Sequence, residues 1–195
     1  MAHSISAAFT KEKTDELYTP PILVKPIIKH FDLWRNNFIL QNNKQPIVLC
    51  PFDTDRSEFV SAFSKINNIE LKIGHIETGQ DFFIYDYGDY DICISNPPFS
   101  KKKQVYEKLL NNNKPFALVG NAMQINYEEI GRLFSDVNIQ ILSFDRRVSY
   151  NGSPSSFMSC YFCHDFLQRD LIFERLEHNN AKKKFTPSRM YFITA

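Results

Sequence analysis

A chain of 195 residues, 43% of them hydrophobic, is long and apolar enough to bury one sizeable core, which excludes a wholly disordered segment. The formal net charge of +1 removes any bulk electrostatic case for nucleic acid. It leaves local basic clusters: Lys101-Lys102-Lys103, Arg146-Arg147 and Lys182-Lys183-Lys184. No apolar run is long enough to span a bilayer, and residues 1–21 lack the charged start and apolar block of a signal peptide. A cytoplasmic protein with four reduced cysteines is therefore expected.

Residues 1–16 are small and polar, and read as an N-terminal arm. Everything from residue 17 to 195 reads as one domain. Ile22, Leu23, Ile27, Phe31 and Trp34 recur at helical spacing, which predicts a helix over 22–34. Ile47 to Cys50 is a short apolar run closed by Pro51, the mark of a buried strand. Asp55 then suits the cap of a helix, with Glu58 reaching back and Phe59, Val60 and Phe63 buried. Strands are expected over 70–76, 91–95, 115–119, 139–144 and 157–162. Helices are expected over 101–111, ended by three asparagines, and over 126–134. Residues 169–176 suit strand or helix equally. Strands alternating with helices point to an α/β fold, a mostly parallel sheet with helices on both faces.

In such a sheet, ligands bind beyond the carboxyl ends of the strands. Three ends are rich in chemistry: Cys50-Pro51-Phe52-Asp53, His75-Ile76-Glu77 and Asn96-Pro97-Pro98-Phe99. Glu77 follows Asp53 by 24 positions, close to the roughly 20-residue offset at which a carboxylate often holds ribose hydroxyls. A solvated turn residue ahead of Gly79 is the competing reading of Glu77.

Asn96-Pro97-Pro98-Phe99 ends an apolar strand with two residues that cannot donate a ladder hydrogen bond. Prolines alone would stop the strand; Asn96 and Phe99 add chemistry. An exocyclic amino group on a planar base is a weak nucleophile, because its lone pair is delocalised into the ring. Two acceptors on its two hydrogens would localise that pair. The Asn96 side-chain oxygen and the Pro97 carbonyl can be those acceptors. Pro98 stiffens the corner, and Phe99 offers a face for the base.

These residues resemble the catalytic motif of adenine-specific, amino-directed DNA methyltransferases that use S-adenosylmethionine. Tyr18-Thr19-Pro20-Pro21, ahead of a helix, is similar to the N-terminal motif that closes over the methionine part of that cofactor. The Leu49 to Asp53 strand end stands where the family's cofactor loop begins, and Asp81-Phe82 where its acidic motif meets the cofactor's adenine. Phe144-Asp145-Arg146-Arg147, Pro154 to Phe157 and Tyr161-Phe162-Cys163 look like the closing strands of small phage-borne and restriction-type adenine methylases.

The resemblance implies a Rossmann-like class I methyltransferase fold and methyl transfer from S-adenosylmethionine to N6 of a flipped adenine in DNA. It implies Asn96, Pro97, Pro98 and Phe99 as catalytic residues. The implied cofactor residues are Tyr18, Thr19, Pro20, Pro51, Phe52, Asp53, Glu77, Asp81 and Phe82. Phosphate contacts are expected from Lys101, Lys102, Arg146 and Arg147.

The cofactor loop, Pro51 to Ser57, departs from the family in having no glycine. A binding module that has lost turnover therefore stays open, as does methylation of RNA or of a protein glutamine. No separate target-recognition domain is visible, so specificity would come from 144–157, the C-terminal tail or a partner. Cys160, Cys163 and His164 form a CxxCH pattern, but a strand would point the two cysteines to opposite faces, so core cysteines and no metal are expected. His30 and His75 read as structural histidines.

Overall fold

The computed structural model describes residues 18–150 and 156–177. Helix α1 (Pro21–Asn42) runs further than its apolar spacing predicts, because Asn43 in the left-handed region closes it on the Ile39 carbonyl. Pro21 stands in its first turn, where a missing N–H costs nothing. Then follow β1 (Ile47–Cys50), α2 (Glu58–Phe63), β2 (Glu70–Ile73), β3 (Ile92–Ser95), α3 (Lys102–Asn111), β4 (Phe116–Asn121) and α4 (Glu128–Ser135). The chain continues through β5 (Gln140–Phe144), β6 (Val148–Ser149), β7 (Ser156–Phe157), β8 (Ser159–His164) and β9 (Leu171–Glu174).

Three expectations change. The strand expected over 157–162 divides, with Phe157 ending β7 in a separate two-stranded sheet and β8 running Ser159–His164. Ser57, not Asp55, caps α2, its hydroxyl accepting the Phe59 N–H at 3.1 Å. The strand expected to reach residue 76 stops at Ile73, because Gly74 turns the chain and a short 3₁₀ turn, Ile76–Thr78, takes over. The ambiguous stretch 169–176 resolves as strand β9.

Seven strands form one sheet in the order β2-β1-β3-β4-β8-β5-β9. Every neighbouring pair is parallel except those involving β8, which runs antiparallel between β4 and β5. This is the Rossmann-like α/β fold expected of the sequence. Alternation along the strands divides the core. Val48, Cys50, Ile92, Ile94 and Cys163 face Ile27 and Phe31 of α1 and Phe59 and Phe63 of α2. Leu49, Cys93, Cys160 and Phe162 face Val105, Tyr106 and Leu109 of α3 and Ile130 of α4. Cys160 and Cys163 thus lie on opposite faces, as the strand reading requires, and all four cysteines are free and buried.

The order of strands reverses at β1: β2 lies on one side, β3 on the other. That reversal opens a crevice at the carboxyl edge. The same edge receives the carboxyl end of β5 and the start of β8, so β6, β7 and residue 158 overhang it. Among the described residues, no helix is long and apolar enough to cross a membrane.

Candidate active site

Each wall of the crevice follows from a local reason. Ahead of α1, Pro20 is extended and Leu23 N–H caps on its carbonyl, which places Tyr18 and Thr19 over the strand ends. Beyond β1, Asp53 N–H donates to Gly74 O at 2.9 Å, binding the loop to the end of β2. Gly74 has no substitute, since a Cβ there would stand 2.2 Å from the Tyr87 hydroxyl oxygen. His75 accepts the Glu77 N–H at 3.2 Å, and Gly79 closes that turn at φ 77°. Asp81 accepts the Phe83 N–H at 2.9 Å, a turn that sets Phe82 inward, edge-on to Phe52 with centroids 5.0 Å apart.

The third wall is the corner after β3. Ser95 is fully buried, Asn96 is half-buried, and Pro98 holds an extended backbone before the 3₁₀ turn Phe99–Lys101. Lys101 N–H donates to Pro98 O at 3.1 Å, which closes the turn.

Together these walls enclose a cavity of about 340 Å³, within the usual range for small-molecule sites. It is lined by Tyr18, Thr19, Pro51, Phe52, Asp53, Glu77 and Asp81, and by Phe82, Asn96, Pro97 and Pro98. Of the residues expected to touch cofactor or substrate, Pro20 and Phe99 lie just outside this lining. Sequence reasoning missed Thr54, Ile76, Phe83 and Ser100, which also line it. It read His75 as purely structural, yet His75 both supports the turn and faces the cavity. A hint lay in its position, one residue beyond the glycine that ends β2.

Asp53 is almost wholly buried, and burial raises its carboxyl from the ordinary 3.8 to about 6 against the lowering effect of the Ser57 and Ser95 hydroxyls and of His75. Ser57 and Ser95 donate to its two oxygens, so a cofactor group that Asp53 receives shares those oxygens with them.

The basic residues divide. Lys101 is exposed and lines the cavity, with its ammonium 5.4 Å from the Phe83 ring centroid. Lys102 was expected on phosphate and is instead buried at 2% exposure. Its ammonium donates to Val119 O at 3.1 Å and sits 4.2 Å from the Phe99 centroid, bracing that ring from below. The helix places it inward because α3 begins there and turns that residue to β4. Arg146 likewise serves the fold: it pairs with Asp145 at 3.0 Å and donates to the Leu176 carbonyl. Arg147 is exposed at the same edge. The Lys182–Lys184 cluster, the N-terminal arm and the centre of the expected specificity insert lie outside the described residues.

Phe157 was not singled out as a site residue. It faces Phe99 with planes 23° apart and centroids 6.5 Å apart, and meets Tyr150 edge-on at 5.4 Å. Tyr150 is held in turn by its hydroxyl contact with Ser159 at 2.9 Å.

Whether S-adenosylmethionine suits this lining is answered by its chemistry. Thr19 offers a buried hydroxyl oxygen that has no hydrogen-bond partner among the described residues. Phe52, Phe82 and Ile76 give apolar surface for a purine, and Glu77 and Asp81 give carboxylates for hydroxyl and amino groups. A polar, cationic nucleoside of this size matches the lining.

Comparison with known proteins bears on the same residues. Residues 35–159, well over half of the chain, match the model of the family described as adenine-specific methyltransferase EcoRI. No curated protein sequence matches the chain. Among solved structures, the chain is similar to a predicted O-methyltransferase, protein Atu636, from Agrobacterium tumefaciens. Identity is 9% and the TM-score 0.41, over 75% of this chain and 87% of the other.

Proposed function

This chain belongs to the adenine-specific methyltransferase EcoRI family, and from that premise we propose that it methylates the N6 amino group of adenine in DNA. The observation that carries the reading is the meeting of Asn96, Pro97 and Pro98 with Thr19, Phe52, Glu77 and Asp81 around one cavity.

When bound, S-adenosylmethionine supplies a methyl group activated on a positively charged sulfur. Thr19 and Tyr18 would hold its methionine part, Glu77 its ribose hydroxyls, and Phe52, Phe82 and Ile76 would offer apolar surface to its adenine. Asn96 Oδ1 and the Pro97 carbonyl accept the two hydrogens of the target amino group and turn its lone pair toward the cavity. Pro98 freezes the corner, so these acceptors cost no reorganisation when charge develops. The amino nitrogen loses one proton to solvent on gaining the methyl group.

Phe99 and Phe157 give the target base its two faces. Their rings lie 23° from parallel with centroids 6.5 Å apart, so a flat base that stacks on both must part them. Lys102 holds Phe99 from the far side. Phe157→Ala is expected to raise KM for DNA roughly tenfold, within the ~1–3 kcal/mol that one stacked base contributes. Affinity for S-adenosylhomocysteine should stay unchanged. Steady-state kinetics with calorimetry checks both numbers, and an unchanged KM would remove Phe157 from the base site.

The substrate assignment is tested with methyl-labelled S-adenosylmethionine. Duplex oligonucleotides containing adenine should take up label, and duplexes built of inosine and cytosine should not. Label appearing in RNA or in protein instead would replace DNA as the substrate.

A further inference from the structure

The loop after β1 has no glycine between Pro51 and Ser57, yet it delivers Phe52, Asp53 and Thr54 to the cavity. The means lies in one side chain. Asp53 is 7% exposed, and its two oxygens are divided between two serines: Oδ1 accepts the Ser57 hydroxyl and Oδ2 the Ser95 hydroxyl. Ser57 is the cap of α2, with its oxygen on the Phe59 N–H. Ser95 is the last residue of β3, covalently next to Asn96. Asp53 N–H also joins the end of β2 through Gly74 O. One residue after β1 therefore ties the ends of β2 and β3 and the start of α2, and two of the three ties run through its carboxylate.

Resting on the methyltransferase reading, we propose that Asp53 is a positioning residue that locks the cofactor loop to the catalytic corner by accepting the Ser57 and Ser95 hydroxyls, one on each oxygen. It does for this loop what glycines do elsewhere, by a side-chain clamp in place of backbone freedom. Its carboxylate oxygens act in this role through the two serines. They fix Asn96 through Ser95, and Phe52 through the loop.

The clamp depends on the charge state of Asp53. A carboxylate accepts on both oxygens, whereas a protonated carboxyl turns one oxygen into a donor, so one serine must reverse its hydroxyl and both ties lose their charge assistance. The groups facing it are the Cys50 thiol from β1, the Cys93 thiol from β3, His75 beyond β2 and the Tyr161 hydroxyl from β8. Lys101, Glu77 and Asp81 share the cavity.

Burial lifts the folded value to about 6, above the ordinary 3.8. Asp53's contribution to stability is thus fully present below about 3.8 and is lost as pH rises through about 6. Positioning has the opposite sign: both ties are charge-assisted above about 6 and weaken below. Acidification through this window firms the fold at Asp53 and loosens the site, so a purely structural role and a positioning role part company.

The test measures S-adenosylhomocysteine binding by calorimetry from pH 5 to 8, and thermal unfolding over the same range, for wild type, Asp53→Asn and Ser95→Ala. Wild-type Kd should rise about tenfold between pH 7.5 and 5, with no parallel loss of stability from this residue. Asp53→Asn, neutral and of the same shape, should bind about tenfold more weakly at pH 7.5 and show a flat profile. Ser95→Ala, which frees only the corner, should lower kcat about tenfold while binding stays within about threefold. Equal pH profiles in wild type and Asp53→Asn, or a Ser95→Ala kcat like wild type, would overturn the clamp and leave the methyltransferase reading standing. No binding by wild type at any pH would overturn that reading and the clamp with it.

Discussion

Replacing Asn96 by alanine is expected to lower kcat for methyl transfer by about a thousandfold while affinity for S-adenosylhomocysteine stays within about threefold. The size follows from what the side chain is asked to do. The adenine amino group does not react while its lone pair belongs to the ring, and Asn96 Oδ1 is one of two acceptors that localise it. Acceptors fixed before charge develops contribute about 3–4 kcal/mol each where water is excluded. Asn96 is half-buried on the cavity wall and stiffened by Pro97 and Pro98, which provides that setting. Asn96→Asp keeps an acceptor of the same reach and should retain measurable turnover. Single-turnover rates at saturating donor and DNA read the effect without interference from release. A loss confined to KM would mean that Asn96 only holds substrate.

The second large effect concerns the fold. Gly120→Ala is expected to cost about 2–3 kcal/mol, lowering the melting temperature by roughly 5–10 °C in a chain of this size. Gly120 lies in β4 opposite Cys160 of β8. A Cβ there would stand 2.6 Å from two carbons of the Phe162 ring and 2.9 Å from Gln124 Oε1. Neither neighbour yields easily. Phe162 is locked between Tyr106 and Phe134, with centroids at 6.0 and 5.5 Å, and the Gln124 side chain is buried. Phe162→Leu in the same background opens space and should recover part of the loss, a coupling that a double-mutant cycle measures. A Gly120→Ala protein melting within 2 °C of wild type would show that the ring can move.

Much of the fold was legible because its signals are local. The apolar run Ile47–Cys50 closed by Pro51, and Ile92–Ser95 closed by Asn96-Pro97-Pro98, name strands β1 and β3 and the edge where they end. Helical spacing placed α1, and the asparagines at 111–113 marked the end of α3. The antiparallel insertion of β8 was not legible, since direction depends on which neighbours a strand finds in space. The cap of α2 slipped from Asp55 to Ser57 because two oxygen-bearing residues compete there, and the contact of Asp53 with Ser57 decides between them.

The site divides in the same way. Residues that sit at strand ends were found: Phe52, Asp53, Glu77, Asn96, Pro97 and Pro98. Asp81 and Phe82 came through the resemblance alone. Contacts between distant segments were hidden. Asp53 and Ser95 stand 42 positions apart, and Phe99 and Phe157 further still, so no spacing could join them. Lys102 misled for a related reason. A run of three lysines reads as a solvated face, but the helix turns its middle member inward, onto Val119 O and under Phe99.

The proposed activity requires the cavity beside Asn96 to hold a methyl donor with its reactive end toward the Asn96–Pro97 corner. The most direct measurement is a crystal structure of the protein with S-adenosylhomocysteine and an adenine nucleoside. The predicted result is the cofactor's adenine against the apolar surface of Phe52 and Ile76, its ribose by Glu77, its sulfur facing the corner, and the nucleoside's amino group on Asn96 Oδ1 and Pro97 O. The homocysteine compound bound elsewhere, or a corner that turns away from it, would contradict the account.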